Sequence, residues 1–184
     1  MIQSICVFCG SRHGDDPAFA DVARELGRAL VARKIRLVFG GGHIGLMGVV
    51  ADAVLEQGGE VIGVIPEALV QRELAHPGVQ DMRIVPTMHA RKALMSELSD
   101  GFIALPGGLG TFEELFEVLT WGQLGFHNKP IALLNVNGYY DPLLTMLDRG
   151  VQCEFLSPRN RNLLFDSESV SKVISFLNGE IVST

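Results

Sequence analysis

Residues 103–115, IALPGGLGTFEEL, lead an apolar run into a proline and three glycines, and then into Thr111 followed by Glu113 and Glu114. A glycine-rich turn that opens a helix lets backbone N–H groups approach an anion, and the helix adds roughly half a positive charge at its start. Phosphate is the natural guest, with Pro106, Gly107, Gly108 and Gly110 supplying backbone and Thr111 a hydroxyl. Successive helical side chains point about 100° apart, so Glu113 aligns with Glu117, whereas Glu114 aligns with Val118 and Trp121. A carboxylate on that second face, one turn from a bound phosphate, faces the sugar of a nucleotide. The same residues have a plainer account. Thr111-x-x-Glu114 forms a capping box, in which Thr111 is the N-cap and the glutamate reaches back to its N–H.

A counterpart lies at residues 88–98, MHARKALMSEL. Arg91 and Lys92 stand toward the start of this helical stretch and Glu97 toward its end, the reverse of what the helix dipole prefers. Solvation at the surface accounts for this cheaply; an anionic ligand, or a carboxylate such as Glu114, would also compensate the cations. Two more turns have small or polar residues, CGSR with Gly10 and Ser11, and GGGHIGLMG with Gly41, Gly42, Gly45 and Met47. Gly40-x-Gly42-x-x-Gly45 matches the dinucleotide fingerprint and has Glu67 downstream. It follows the second strand rather than the first, so an NAD(P) oxidoreductase is the weaker reading.

The elements that must position these residues alternate along the whole chain. Strands are expected at 2–8, 35–39, 60–65, 82–85, 101–105, 130–136 and 162–165, most of them continuously apolar, as suits parallel strands covered on both faces. A helix begins at Asp16-Pro17, an N-cap followed by proline at the first helical position, with Val22, Leu26, Ala29 and Leu30 on one stripe. Further helices are expected over 44–57, 87–98, 110–124, 139–150 and 167–178. The alternation predicts a Rossmann-like, doubly wound parallel sheet in a single domain, 1–184. In such sheets ligands bind beyond the carboxyl ends of the strands, where all three glycine turns fall.

The totals agree with one folded domain. The chain has 184 residues, 47% hydrophobic and 20% charged, with a net charge of -6 and its 15 Lys and Arg scattered. No basic face is expected, which argues against a nucleic-acid binder. The opening MIQSICVFCGSR has neither a basic segment nor a sustained apolar one, so a signal peptide or membrane anchor is not expected and the reading is cytoplasmic. Cys6, Cys9 and Cys153 suit a reducing compartment. Cys6 and Cys9 form a CxxC without a second pair, and buried or strand-end thiols are the simpler reading.

PGGLGTFEE at 106–114 resembles the PGGxGTxxE motif of the Lonely Guy (LOG) family, and MHARK at 88–92 resembles its companion Arg-Lys motif. The likeness extends through CVFCGSR, VFGGGHIGLMGVVADAVLEQGGEVIGVIP, ALVQRELAH and TWGQLGFHNKPIALLNVNGYYD, nearly the whole chain. One departure is Ala90, where relatives often carry Glu or Gln. The resemblance implies a cytokinin riboside 5'-monophosphate phosphoribohydrolase, which cleaves N6-modified or plain AMP to the free base and ribose 5-phosphate. It implies a catalytic pair at Arg91 and Glu114, with Lys92 and Glu73 near the nucleotide. Met88, His43 and Met47 are reasonable neighbours for a base, although a methionine at helical spacing is more often core than pocket. Members are often described as lysine decarboxylases, but nothing in the chain calls for pyridoxal phosphate, and hydrolysis needs no metal or redox cofactor.

Phe112, Leu115, Phe116, Leu119, Trp121 and Leu124 make the 110–124 helix apolar on more than one face, which together with the resemblance predicts a homodimer with the site near the interface. A noncatalytic nucleotide or molybdenum-cofactor carrier remains the alternative, since such carriers share this architecture and glycine motif.

Overall fold

The computed structural model describes residues 2–71 and 74–181. Glu73 lies outside them. In chain order the elements are β1 (Ser4–Phe8), α1 (Pro17–Ala32), β2 (Arg36–Phe39), α2 (Gly45–Leu55), β3 (Val61–Pro66), α3 (Glu67–Val70), β4 (Asp81–Val85), α4 (Met88–Glu97), β5 (Gly101–Ala104), α5 (Leu109–Gln123), β6 (Ile131–Leu134), a 3-10 turn (Val136–Gly138), α6 (Asp141–Gln152), α7 (Pro158–Arg161), β7 (Leu164–Ser167) and α8 (Val170–Leu177). The seven strands form one sheet in the order β4-β3-β2-β1-β5-β6-β7, and each neighbouring pair is parallel. This is the doubly wound architecture expected from the alternation of elements.

The pleat of β1 shows how two cores arise from one strand. Ile5 and Val7 point into a cluster with Phe19, Leu26 and Leu30 of α1, Val50 and Val54 of α2, and Val173 and Ile174 of α8. Cys6 and Phe8 point into the opposite cluster, with Met95 of α4, Leu115 and Val118 of α5, and Tyr140. Successive side chains of a strand leave opposite faces, so a continuously apolar strand needs cover on both. Asp16 caps α1 as its spacing predicts, accepting from the Ala18 N–H at 2.8 Å, with Pro17 at the first helical position.

The elements differ from the sequence reading in several places. The last strand is Leu164–Ser167 rather than 162–165, because pairing with β6 sets Ile131 opposite Leu164. The one-turn helices α3 and α7 were not anticipated, since four residues carry no period to read. α5 begins at Leu109, with Gly108 as N-cap and no side-chain capping bond. No helix among the described residues is long and apolar enough to cross a membrane.

Candidate active site

The strand order reverses between β1 and β5, and crevices at such a switch point are where open parallel sheets hold ligands. Here the loop after β1 and the turn after β5 meet. Gly10 N–H donates to the Pro106 carbonyl at 3.0 Å, and the Gly10 carbonyl accepts from Leu46 N–H at 2.9 Å, so one glycine links all three glycine turns. A cavity of about 590 Å³ opens at this junction, lined by Gly10, Ser11, Arg12, His13, Phe19, Leu46, Pro106, Gly107, Gly108, Leu109 and Tyr139. A depression of about 650 Å³ lies at the opposite, amino end of the sheet around Arg36, Glu60 and Asp81, away from these three turns.

The turn after β5 is rich in unused donors. The N–H groups of Gly107, Gly108, Leu109, Gly110 and Thr111 have no acceptor among the described residues; the first internal bond of α5 runs from Phe112 N–H to the Gly108 carbonyl at 3.0 Å. Unpaired amides at a helix start are ordinary; a row of five running through a glycine turn is an arrangement that could receive an anion. A Cβ on Gly108 or Gly110 would meet nothing within 4 Å, so the protein's own packing does not require glycine there. Gly45 is different: its φ is +62° and a Cβ would lie 2.2 Å from the Ser11 backbone, which gives a packing reason for a glycine of the dinucleotide fingerprint. Glu67, the acidic residue of that pattern, begins α3 after the third strand.

The capping box expected at Thr111 and Glu114 is not formed. The helix is capped three residues earlier, at Gly108, which makes Thr111 a buried residue of its first turn, packed beneath Gly107. Glu114 is thereby released toward α4. Its Oε1 accepts from Arg91 Nη1 at 2.8 Å, and the two side chains are 9% and 10% exposed. Arg91 Nε donates to the Val64 carbonyl at the end of β3 at 3.1 Å, and Nη2 packs against Gly40, where a Cβ would lie 1.9 Å away. Burial pushes the Glu114 carboxyl above its ordinary value, and Arg91 opposes that rise without cancelling it. Burial likewise raises the Cys9 thiol at the end of β1, with Glu114 adding to the rise. Such a buried carboxylate beside a fixed guanidinium can stabilise developing positive charge and accept a proton from water.

The dipole reversal in α4 is compensated in full. Lys92 pairs with Glu113, and with Glu117 at 3.0 Å, the face that helical spacing assigns to those two carboxylates. Burial pulls the Lys92 ammonium down, but the two carboxylates outweigh it and leave it above the usual lysine value. Lys92 is therefore occupied in tying α4 to α5. Met88 is exposed at the first position of α4. Gly41 and Gly42 are held by a strap: His76 N–H donates to the Gly41 carbonyl at 2.8 Å, and Gly42 bridges Ala75. Met47 packs against Gly42, and His43 Nδ1 lies 3.1 Å from the Leu74 carbonyl. The sequence reading missed Tyr139, whose hydroxyl donates to the Gly107 carbonyl. Nothing in its local sequence distinguishes it from the buried Tyr140.

Fold and site together define a Rossmann-type protein with a glycine turn of unpaired amides and a buried arginine–glutamate pair near its switch point. Comparison with known proteins narrows the class. Residues 47–177 match a family model described as "Possible lysine decarboxylase". Among curated proteins, the chain is 51% identical over 175 residues to cytokinin riboside 5'-monophosphate phosphoribohydrolase LOG1 of Arabidopsis thaliana, covering 95% of this chain and 82% of the relative. It is also 51% identical to LOG3 of the same plant, covering 95% of this chain and 81% of that one. The chain belongs to the LOG family. Among solved structures, the molybdenum cofactor binding protein of Rippkaea orientalis superposes with a TM-score of 0.73 at 21% identity, covering 99% of each chain. The Moco carrier protein of Chlamydomonas reinhardtii gives 0.72 at 21% identity, over 98% of this chain and 100% of that one. At that identity the likeness is one of fold.

Proposed function

We propose that this chain hydrolyses the N-glycosidic bond of cytokinin riboside 5'-monophosphates and of AMP, releasing the base and ribose 5-phosphate. Its relatives carry that activity in their names at half-identity over most of the chain. The observation that carries the site assignment is Glu114, buried and held by Arg91, on the helix entered through the 107–111 turn, whose five amides have no acceptor among the described residues.

In this reading the 107–111 amides bind the 5'-phosphate and fix the ribose against Glu114. As the bond from the anomeric carbon to the base nitrogen breaks, its electron pair leaves with the base, which takes up a proton. The sugar becomes oxocarbenium-like and Glu114 stabilises it. Water adds to the anomeric carbon, and its proton passes to Glu114 and then to solvent. Arg91 is a poor acid, since its pKa lies above about 12. Its part is electrostatic: one nitrogen keeps Glu114 ionised and placed while Nη2 remains available to ribose hydroxyls. Gly10, Ser11, Gly41, Gly42, Gly45, Met47 and Met88 form the surrounding walls, and Lys92 holds the two catalytic helices in register.

The protein works as a cytoplasmic homodimer, without nucleic acid or membrane partner. Phe116, Leu124 and Phe126 support the dimer, being apolar and 39%, 59% and 74% exposed on α5 and the turn after it. Purified protein incubated with AMP and with isopentenyladenosine monophosphate, followed by chromatography of free base, tests the activity. Base release from neither substrate rejects it.

A further inference from the structure

The peptide between Gly107 and Gly108 has glycine on both sides, so the backbone itself tolerates either orientation of its carbonyl. In a trans peptide the C=O and N–H point in opposite directions. Tyr139 decides between the two: its hydroxyl donates to the Gly107 carbonyl, which turns the Gly108 N–H to the other side. A flip would replace that donor with a carbonyl oxygen and set a negative pole against any anion at the turn.

Tyr139 is itself rigidly mounted. Asn137, at φ +51°, donates from Nδ2 to Asp16 Oδ2 at 2.8 Å, and Asp16 is already the cap of α1. Asn135 accepts from the Tyr140 N–H and donates to Asp141 Oδ1, both at 2.7 Å. The Tyr139 ring stands edge-on to Phe19 at 5.9 Å and to Tyr140 at 5.0 Å. The neighbouring Tyr140 hydroxyl holds the Leu105 carbonyl at 2.7 Å, so the loop after β6 grips the β5 turn at two carbonyls.

We propose that Tyr139 is a positioning residue for the 5'-phosphate, locking the Gly107–Gly108 peptide in the orientation that donates to the anion; this rests on the phosphate reading of the turn. Tyr139→Phe keeps the ring and removes only the lock. Calorimetric titration should show ribose 5-phosphate binding weakened about tenfold, the size of one lost hydrogen bond, with adenosine binding changed less than about twofold. The KM for AMP should rise with the ribose 5-phosphate dissociation constant, more than kcat falls. Unchanged affinity for ribose 5-phosphate in a variant of an active wild-type protein overturns the inference alone. Equal weakening of adenosine and ribose 5-phosphate, with a lowered melting temperature, overturns it in favour of a packing role. Wild-type protein that neither binds ribose 5-phosphate nor releases base from AMP overturns both this inference and the phosphate reading.

Discussion

Glu114 stands between opposed influences: burial favours its neutral form and Arg91 its charged form, and burial is the stronger. Its folded-state pKa is therefore raised above the ordinary 4.5, so its contribution to stability is present below that value and lost as pH rises through the elevated one. In the proposed mechanism catalysis runs the other way, since it uses the ionised form. The acid limb of kcat/KM should accordingly lie above pH 4.5. Glu114→Gln should lower the rate at least about 100-fold and abolish that limb, while circular dichroism and melting show a folded protein. Near-normal turnover in this variant would remove Glu114 from the mechanism. Arg91→Ala strands the buried carboxylate and should cost about 3 kcal/mol at about pH 8, and clearly less at about pH 5, where protonation relieves it. Urea unfolding at both pH values measures this; an equal cost at both places the conflict elsewhere.

At the scale of elements, two of the glycine turns have different reasons to lack side chains. Gly45 has a left-handed backbone and lies against the Ser11 backbone, so Gly45→Ala should cost about 2 kcal/mol or more by thermal or urea unfolding. Gly110 sits in the first turn of α5 with open space around it. Gly110→Ala should stabilise by up to about 1 kcal/mol, since alanine is the better helix former, yet raise the KM for AMP by about tenfold. A stabilised variant with unchanged KM would place the phosphate elsewhere. The turn was legible in the sequence because glycine spacing and the following helical period are local signals. The start of α5 was not: Thr111 and Glu114 have the spacing of a capping box, but burying Thr111 under Gly107 and pairing Glu114 with Arg91 won over that local bond. Pairing of Lys92 with Glu113 and Glu117 was half legible, since helical periodicity aligns the two glutamates but says nothing of what faces them.

For the whole molecule, α5 covers the sheet with Leu115 and Val118 and lays Phe112, Leu119 and Trp121 against the same core. That absorbs much of the apolar surface that suggested a dimer; Phe116 and Leu124 remain exposed, beside Leu109 at the start of α5 and Phe126 after its end. A double substitution, Leu124→Glu with Phe126→Glu, should convert a dimer into a folded monomer of 20.0 kDa by light scattering. Wild-type protein that already runs at the monomer mass ends the dimer proposal. The switch point between β1 and β5 sets the site at the middle of the molecule, where loops from both halves of the sheet converge.

The order of elements, the parallel sheet and the glycine turns were written in the chain, because apolar continuity, helical period and turn residues act over a few neighbours. Tertiary structure alone decided which carboxylate meets which cation, that Thr111 lies inside a helix, and that a tyrosine of the β6 loop grips Gly107. Each of those contacts joins residues from separate elements, whose approach depends on packing across the sheet rather than on any local pattern.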